Sequence, residues 1–139
     1  MINQPKTILI VEDEPGLLNV LTDKLSACGL SVLKAENGEE GLSLALKYRP
    51  DLILLDIVMP KMDGLTMMRR LRESVWGSSA SIIVLTNLAD NEKVAEAMKN
   101  KVYDYLIKTD WTLVDLVKKI KKKLDLNWTS RLSAYYYCF

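Results

Sequence analysis

The stretch Asp51-Leu52-Ile53-Leu54-Leu55-Asp56-Ile57-Val58-Met59-Pro60-Lys61-Met62-Asp63-Gly64 decides how this chain of 139 residues folds. Four consecutive aliphatic residues are too few for an ordinary helix, and a loop containing proline follows them. The pattern predicts a strand buried on both faces in a parallel sheet, which delivers Asp56 to the rim at its carboxyl end. Asp63 then stands where a new helix is capped.

Working outward, Thr7-Ile8-Leu9-Ile10-Val11 predicts a second buried strand, ending at Glu12-Asp13-Glu14. Pro15 opens a helix over residues 15–28, with Leu17, Leu18, Leu21, Leu25 and Cys28 at helical spacing and Gly29 as its stop. Leu30 to Lys34 reads as a weaker, mixed strand. Asn37, with Glu40 three residues on, caps a helix whose Leu42, Ala45 and Leu46 turn inward. The helix after Asp63 turns Leu65, Met68 and Leu71 inward, and Met67 and Met68 read as core filling. After a loop at Trp76-Gly77-Ser78-Ser79, Ile82-Ile83-Val84-Leu85 is another unbroken apolar strand, ending at Thr86. Asp90 caps a fourth helix with Val94, Ala97 and Met98 inward. Val102 to Ile107 forms a fifth strand and ends at Lys108. Thr112 to Asp115 is a capping box, and Leu113, Leu116, Val117, Ile120 and Leu124 share one face of the fifth helix.

Five strands alternating with five helices predict an α/β fold: a doubly wound parallel (βα)5 sheet with right-handed crossovers. The unbroken apolar runs of the first, third and fourth strands belong in its centre, and the mixed second and fifth at its edges. The resulting order is the flavodoxin-like 2-1-3-4-5. In such a sheet the ligand crevice lies beyond the carboxyl ends, where the order reverses between the first and third strands. Glu12, Asp13, Asp56, Thr86 and Lys108 all stand at carboxyl ends.

Composition narrows the function. With 49% apolar residues and a net charge of +1, the chain fits one globular domain without the basic excess of a phosphate-tracking surface, so direct nucleic-acid binding is not expected. The Lys118 to Lys123 cluster reads as a solvated helix face. No stretch reaches the ~20 apolar residues of a membrane span, and the amino terminus lacks a signal-peptide core. Cys28 and Cys138 form no CxxC pair, which points to neither a metal site nor a disulfide framework, and a cytoplasmic setting is expected. The absence of histidine removes imidazole acid–base chemistry and histidine-rich metal sites.

Three carboxylates brought together repel one another, and a divalent cation and the Lys108 ammonium are the two remedies in view. Oxygen-only ligands favour Mg2+, which suits a site that also receives a phosphoryl group. With no serine or cysteine paired to a base, a carboxylate is the plausible nucleophile. Phosphoryl transfer asks for alignment and charge neutralisation, to which Lys108 and the Thr86 hydroxyl can contribute.

Together Glu12-Asp13, Asp56 with Met59-Pro60-Asp63-Gly64, Thr86, Tyr105 and Lys108 resemble the receiver domain of two-component response regulators, of the single-domain chemotaxis-regulator kind in bacteria. The resemblance covers residues ~6–124. It implies a phosphoprotein that takes a phosphoryl group onto Asp56 from a sensor histidine kinase or a phosphotransfer protein, in a phosphorelay. It further implies that Asp13, Asp56 and the Val58 backbone carbonyl ligate Mg2+, with Glu12 acting through water. Lys108 and Thr86 would serve the transfer, and Thr86 and Tyr105 would form a switch pair. The responding face would be the fourth helix, fifth strand and fifth helix, for a downstream protein target or a phosphorylation-dependent homodimer. Apart from its own phosphorylation and slow dephosphorylation, no enzymatic activity is expected. Residues 1–126 are expected to form the receiver domain and 127–139 an aromatic tail, with no effector domain. The tail folds back on the domain, docks on a partner or second copy, or is a remnant of truncation.

The chain departs from the family pattern at five positions. Thr109 replaces the usual proline after Lys108, which leaves open whether that peptide is cis or trans. Asn87 is bulky beside Thr86, and Lys101 stands where glycine is common, so that either Asn100 takes the left-handed turn or the fourth helix ends differently. Val58 and Leu88, two residues beyond Asp56 and Thr86, carry nothing to orient a water, so slow phosphate loss is expected. Two other readings remain: a receiver-like module that binds partners without being phosphorylated, and a Mg2+-dependent phosphohydrolase, for which Val58 occupies the place of the needed second acid or base. A flavin site is weaker, because the first strand-to-helix loop is acidic.

Overall fold

The computed structural model describes residues 5–86, 91–101, 104–108 and 112–124, with the backbone alone for residues 86, 91, 93 and 94. Five parallel strands, β1 (Thr7–Val11), β2 (Ser31–Ala35), β3 (Leu52–Asp56), β4 (Ile82–Thr86) and β5 (Asp104–Ile107), form one sheet in the order β2-β1-β3-β4-β5. The helices are α1 (Pro15–Ala27), α2 (Gly38–Tyr48), α3 (Gly64–Arg72), α4 (Asn91–Lys99) and α5 (Leu113–Lys123), with a 3-10 turn at Gly77–Ser79.

Side chains alternate across a strand, so the apolar runs feed two cores at once. Ile8, Ile10, Leu52, Leu54, Ile83 and Leu85 pack beneath α1 and α5, while Leu9, Val11, Ile53, Leu55, Ile82 and Val84 pack beneath α2, α3 and α4. Every residue of β3 is buried, as a central strand requires, whereas β2 and β5 are half-buried edges. Three of the expected caps are present. Asn37 accepts from Glu40 N–H at 2.9 Å, Asp63 from Thr66 N–H at 2.8 Å, and Thr112 and Asp115 exchange hydrogen bonds in a capping box. Gly29 ends α1 with φ 88°, the left-handed conformation that glycine adopts at least cost.

Several expectations are corrected. Strand β2 starts one residue later than read, at Ser31. Leu46 and Met98 are largely exposed rather than inward, at 42% and 44%. On α2 the buried stripe is Gly38, Gly41 and Ala45, because the helix lies close to the sheet: a Cβ on Gly41 would meet Val11 Cγ2 at 2.9 Å. Large side chains are therefore pushed to the flanks of the contact. Lys101 itself takes the left-handed turn after α4, with φ 62°. Cys28 is core-facing as expected, yet it is disulfide-bonded, which corrects the reading of no disulfide; its bonding partner lies outside the described residues. Asp90, Val102, the Lys108–Thr109 peptide and residues 127–139 also lie outside them, as do the Asn87 and Leu88 departures and the Val94 side chain. No described helix is long and apolar enough to cross a membrane.

Candidate functional site

The strand order reverses between β1 and β3, and parallel pairing aligns their ends: Val11 is level with Leu55, so Glu12 and Asp56 emerge side by side. Glu12 is fully buried and its N–H is held by the Ala35 carbonyl of β2 at 3.0 Å. Asp56, the last residue of β3, is 2% exposed. Asp13, one residue further along the β1 loop, is exposed. Lys108 follows β5, two strands away, and its side chain reaches back across β4 to the acids.

Lys108 Nζ donates to Glu12 Oε1 at 3.0 Å and to Asp56 Oδ2 at 3.1 Å, joining residues 96 and 52 positions apart. The other oxygen of Asp56, Oδ1, accepts from Val58 N–H at 3.3 Å. Direct pairing of Glu12 with Lys108 is not visible in the sequence, which shows only that both stand at strand ends. Thr86 closes β4, in register with Ile107, and its side chain lies outside the described residues. Tyr105 sits on β5 with 40% of its surface exposed. The structure thus brings Glu12, Asp13, Asp56 and Lys108 together and places the Val58 backbone against Asp56.

One ammonium does not balance this acid cluster. Burial pushes the Glu12 carboxyl from its ordinary 4.5 up to about 7, and the Asp56 charge adds to the rise against the opposing Lys108. Burial also raises Asp56 above its usual 3.8, with Lys108 again the main opposing influence. For Lys108, burial alone would lower the pKa, but the hydrogen bond to Glu12 and the charges of both acids hold it above 10.5. The lysine stays charged, and the two acids resist ionising together.

A divalent cation fits the residues present. Glu12, Asp13 and Asp56 each bring one oxygen within 4.8 Å of the others. Glu12 Oε2 lies 3.0 Å from Lys108 Nζ as an ion pair, yet among the described residues it is a buried oxygen without a hydrogen-bond partner. An all-oxygen donor set with surplus negative charge matches a hard ion such as Mg2+ rather than a softer metal.

The loop carrying Val58 is tightly seated. Gly64 N–H donates to the Ile57 carbonyl at 2.8 Å, and a Cβ on Gly64 would stand 2.4 Å from the Asp56 carbonyl oxygen. Lys61 turns the loop with φ 63°, an uncommon conformation for a residue other than glycine. The motif Met59-Pro60-Asp63-Gly64 marks this loop in the sequence, but its close seat on the Asp56 carbonyl is visible only in the fold.

Comparison with known proteins agrees with this geometry. PilH of Pseudomonas aeruginosa is 38% identical over 101 residues, covering 73% of this chain and 84% of PilH. A protein-glutamate methylesterase/protein-glutamine glutaminase of Archaeoglobus fulgidus is 37% identical over 133 residues, covering 91% of this chain and 37% of that protein. The chain spans about two fifths of the length of several of its curated relatives, including the transcriptional regulator RpaA of Synechocystis at 42%. Among solved structures, a response regulator receiver domain protein of Methanospirillum hungatei superposes with a TM-score of 0.81 at 29% identity, covering 88% of this chain and 95% of its own. The receiver domain of a Pseudomonas aeruginosa sensor histidine kinase, with a magnesium ion in its active-site cleft, gives 0.80 at 27% identity, covering 88% of this chain and all of its own. Residues 8–121 match the response regulator receiver domain as a family, and the chain belongs to that family.

Proposed function

We propose that the chain is a phosphoacceptor of two-component signalling, in which Asp56 receives a phosphoryl group from the phosphohistidine of a sensor kinase or phosphotransfer protein. The observation that carries this reading is Lys108 Nζ held between Glu12 and Asp56, in a cluster of acids still short of positive charge. In the transfer, the phosphorus–nitrogen bond to the donor imidazole breaks, its electron pair stays on that ring, and a bond forms to an Asp56 carboxylate oxygen. Lys108 stands against Asp56 Oδ2 and can neutralise charge on an incoming phosphoryl oxygen. Val58 N–H orients Oδ1. Bound Mg2+ would neutralise phosphoryl charge, and Asp13, Asp56 and the Val58 carbonyl are the groups to hold it, with Glu12 behind them.

The finer parts of the reading follow from the same residues. Val58 is 55% exposed and apolar, so it offers no group to position an attacking water, which supports slow dephosphorylation and no wider enzymatic turnover. Thr86 and Tyr105 form the switch pair, and α4, β5 and α5 present the responding face to a downstream protein or a second copy. The setting is bacterial, residues 1–126 act as the receiver domain, and 127–139 are an appended tail.

Beryllofluoride, a stable phosphoryl mimic, tests the reading. With Mg2+ it should bind once per chain and move the amide resonances of residues 56–58. With Mg2+ chelated it should do neither. An unchanged spectrum in the presence of both would contradict phospho-acceptance and leave a module that docks without being phosphorylated.

A further inference from the structure

Gly38, the first residue of α2, makes an unusually close approach to the loop between β3 and α3. Its N–H donates to the Met62 carbonyl at 3.0 Å. A Cβ at this position would stand 2.3 Å from the Met62 carbonyl oxygen and 3.1 Å from that of Asp63. The backbone at Gly38 is not left-handed, since Gly29 is the glycine with positive φ among the described residues. Glycine is a poor helix former, and here it supplies space rather than conformational freedom.

A push on Met62 has few places to go. On one side the loop is closed by Gly64, which is itself packed on the Asp56 carbonyl. On the other, Pro60 has φ fixed by its ring, Lys61 already occupies a left-handed turn, and Met59 is anchored in the core at 8% exposure. The first exposed residue back along the loop from Met59 is Val58, whose N–H orients Asp56. We propose that Gly38 is a positioning residue for the cation site: by letting the β3–α3 loop lie against the first turn of α2, it sets where the Val58 backbone stands beside Asp56. This rests on the assignment of the Val58 carbonyl as a Mg2+ ligand.

The test is Mg2+ binding by calorimetry for the parent chain, Gly38→Ala and Gly16→Ala, with amide spectra of each. Gly16 is the matched control, because it also lies in the first turn of a helix beside the site and a Cβ there meets nothing within 4 Å. Gly38→Ala should bind Mg2+ about tenfold more weakly, the scale of lost support behind a ligand, and should shift the Val58 amide. Gly16→Ala should match the parent. A glycine with a purely structural role would lower the melting temperature of Gly38→Ala and leave Mg2+ affinity and the Val58 amide unchanged, and that result overturns the proposal. Should Gly38→Ala fail to fold, the parent decides: the Gly38 amide should move on Mg2+ saturation, and a stationary amide overturns the proposal. A parent that binds no Mg2+ at all overturns the metal assignment and the proposal with it, whereas equal binding by parent and Gly38→Ala overturns the proposal alone.

Discussion

Strand β5 carries a lysine–carboxylate cluster at each end, and the two ends behave oppositely. At its amino end, Asp104 faces Lys119 at 3.6 Å and Lys123 at 2.7 Å, with all three side chains about a third exposed. Two cations serve one acid, and the hydrogen bond from Lys123 leads in holding the Asp104 carboxyl below its ordinary range. At the carboxyl end, one lysine with 9% side-chain exposure serves two acids, and both are held above their ordinary range. Burial and stoichiometry, rather than the presence of an ion pair, separate a surface contact from a site poised to take up charge.

The largest contrast should come from the acceptor itself. Asp56→Asn should abolish labelling by a small phosphodonor, read by intact mass, while removing the acid of the other cluster with Asp104→Asn should leave labelling intact. Next in size, Lys108→Met strands two acids in a buried setting and should cost about 3 kcal/mol of stability in urea unfolding without Mg2+. Added Mg2+ should recover part of that loss.

The pH dependence sharpens the same contrast. The folded-state pKa of Glu12, about 7, lies above its unfolded value of 4.5, so its contribution is fully present below pH 4.5 and is lost as pH rises through about 7. Measured without Mg2+, the stability of the parent relative to Glu12→Gln should fall by on the order of 2 kcal/mol between pH 4.5 and 8. Asp104 has the opposite sign: its lowered pKa stabilises above the unfolded value, and that stability is lost as pH falls. Because the pair is exposed and screened, Asp104→Asn should cost under ~1 kcal/mol at neutral pH and less still in high salt.

The residues explain why the fold was largely legible. The runs 8–11, 52–55 and 82–85 have no polar interruption, which forces them to the sheet centre, and Glu12, Asp56 and Thr86, which follow them, then fall at one rim with Lys108 at the end of the edge strand β5. Helix faces were less legible where small residues do the packing: Gly41 and Ala45, rather than Leu46, lie against the sheet, and hydrophobicity alone ranks them the wrong way. At the site, strand ends identified Glu12, Asp13, Asp56 and Lys108, but not who pairs with whom. The Glu12–Lys108 bond and the seat of Met62 on Gly38 depend on distances between segments far apart in sequence, and no local pattern encodes them.

The most direct measurement is peptide mapping after exposure to acetyl phosphate, with Mg2+ present and with it chelated. A single phosphoryl group on Asp56 that appears only with Mg2+ is the predicted result. Modification of another residue, incorporation indifferent to Mg2+, or none at all would contradict the assignment of this acid cluster as the place where the signal is written.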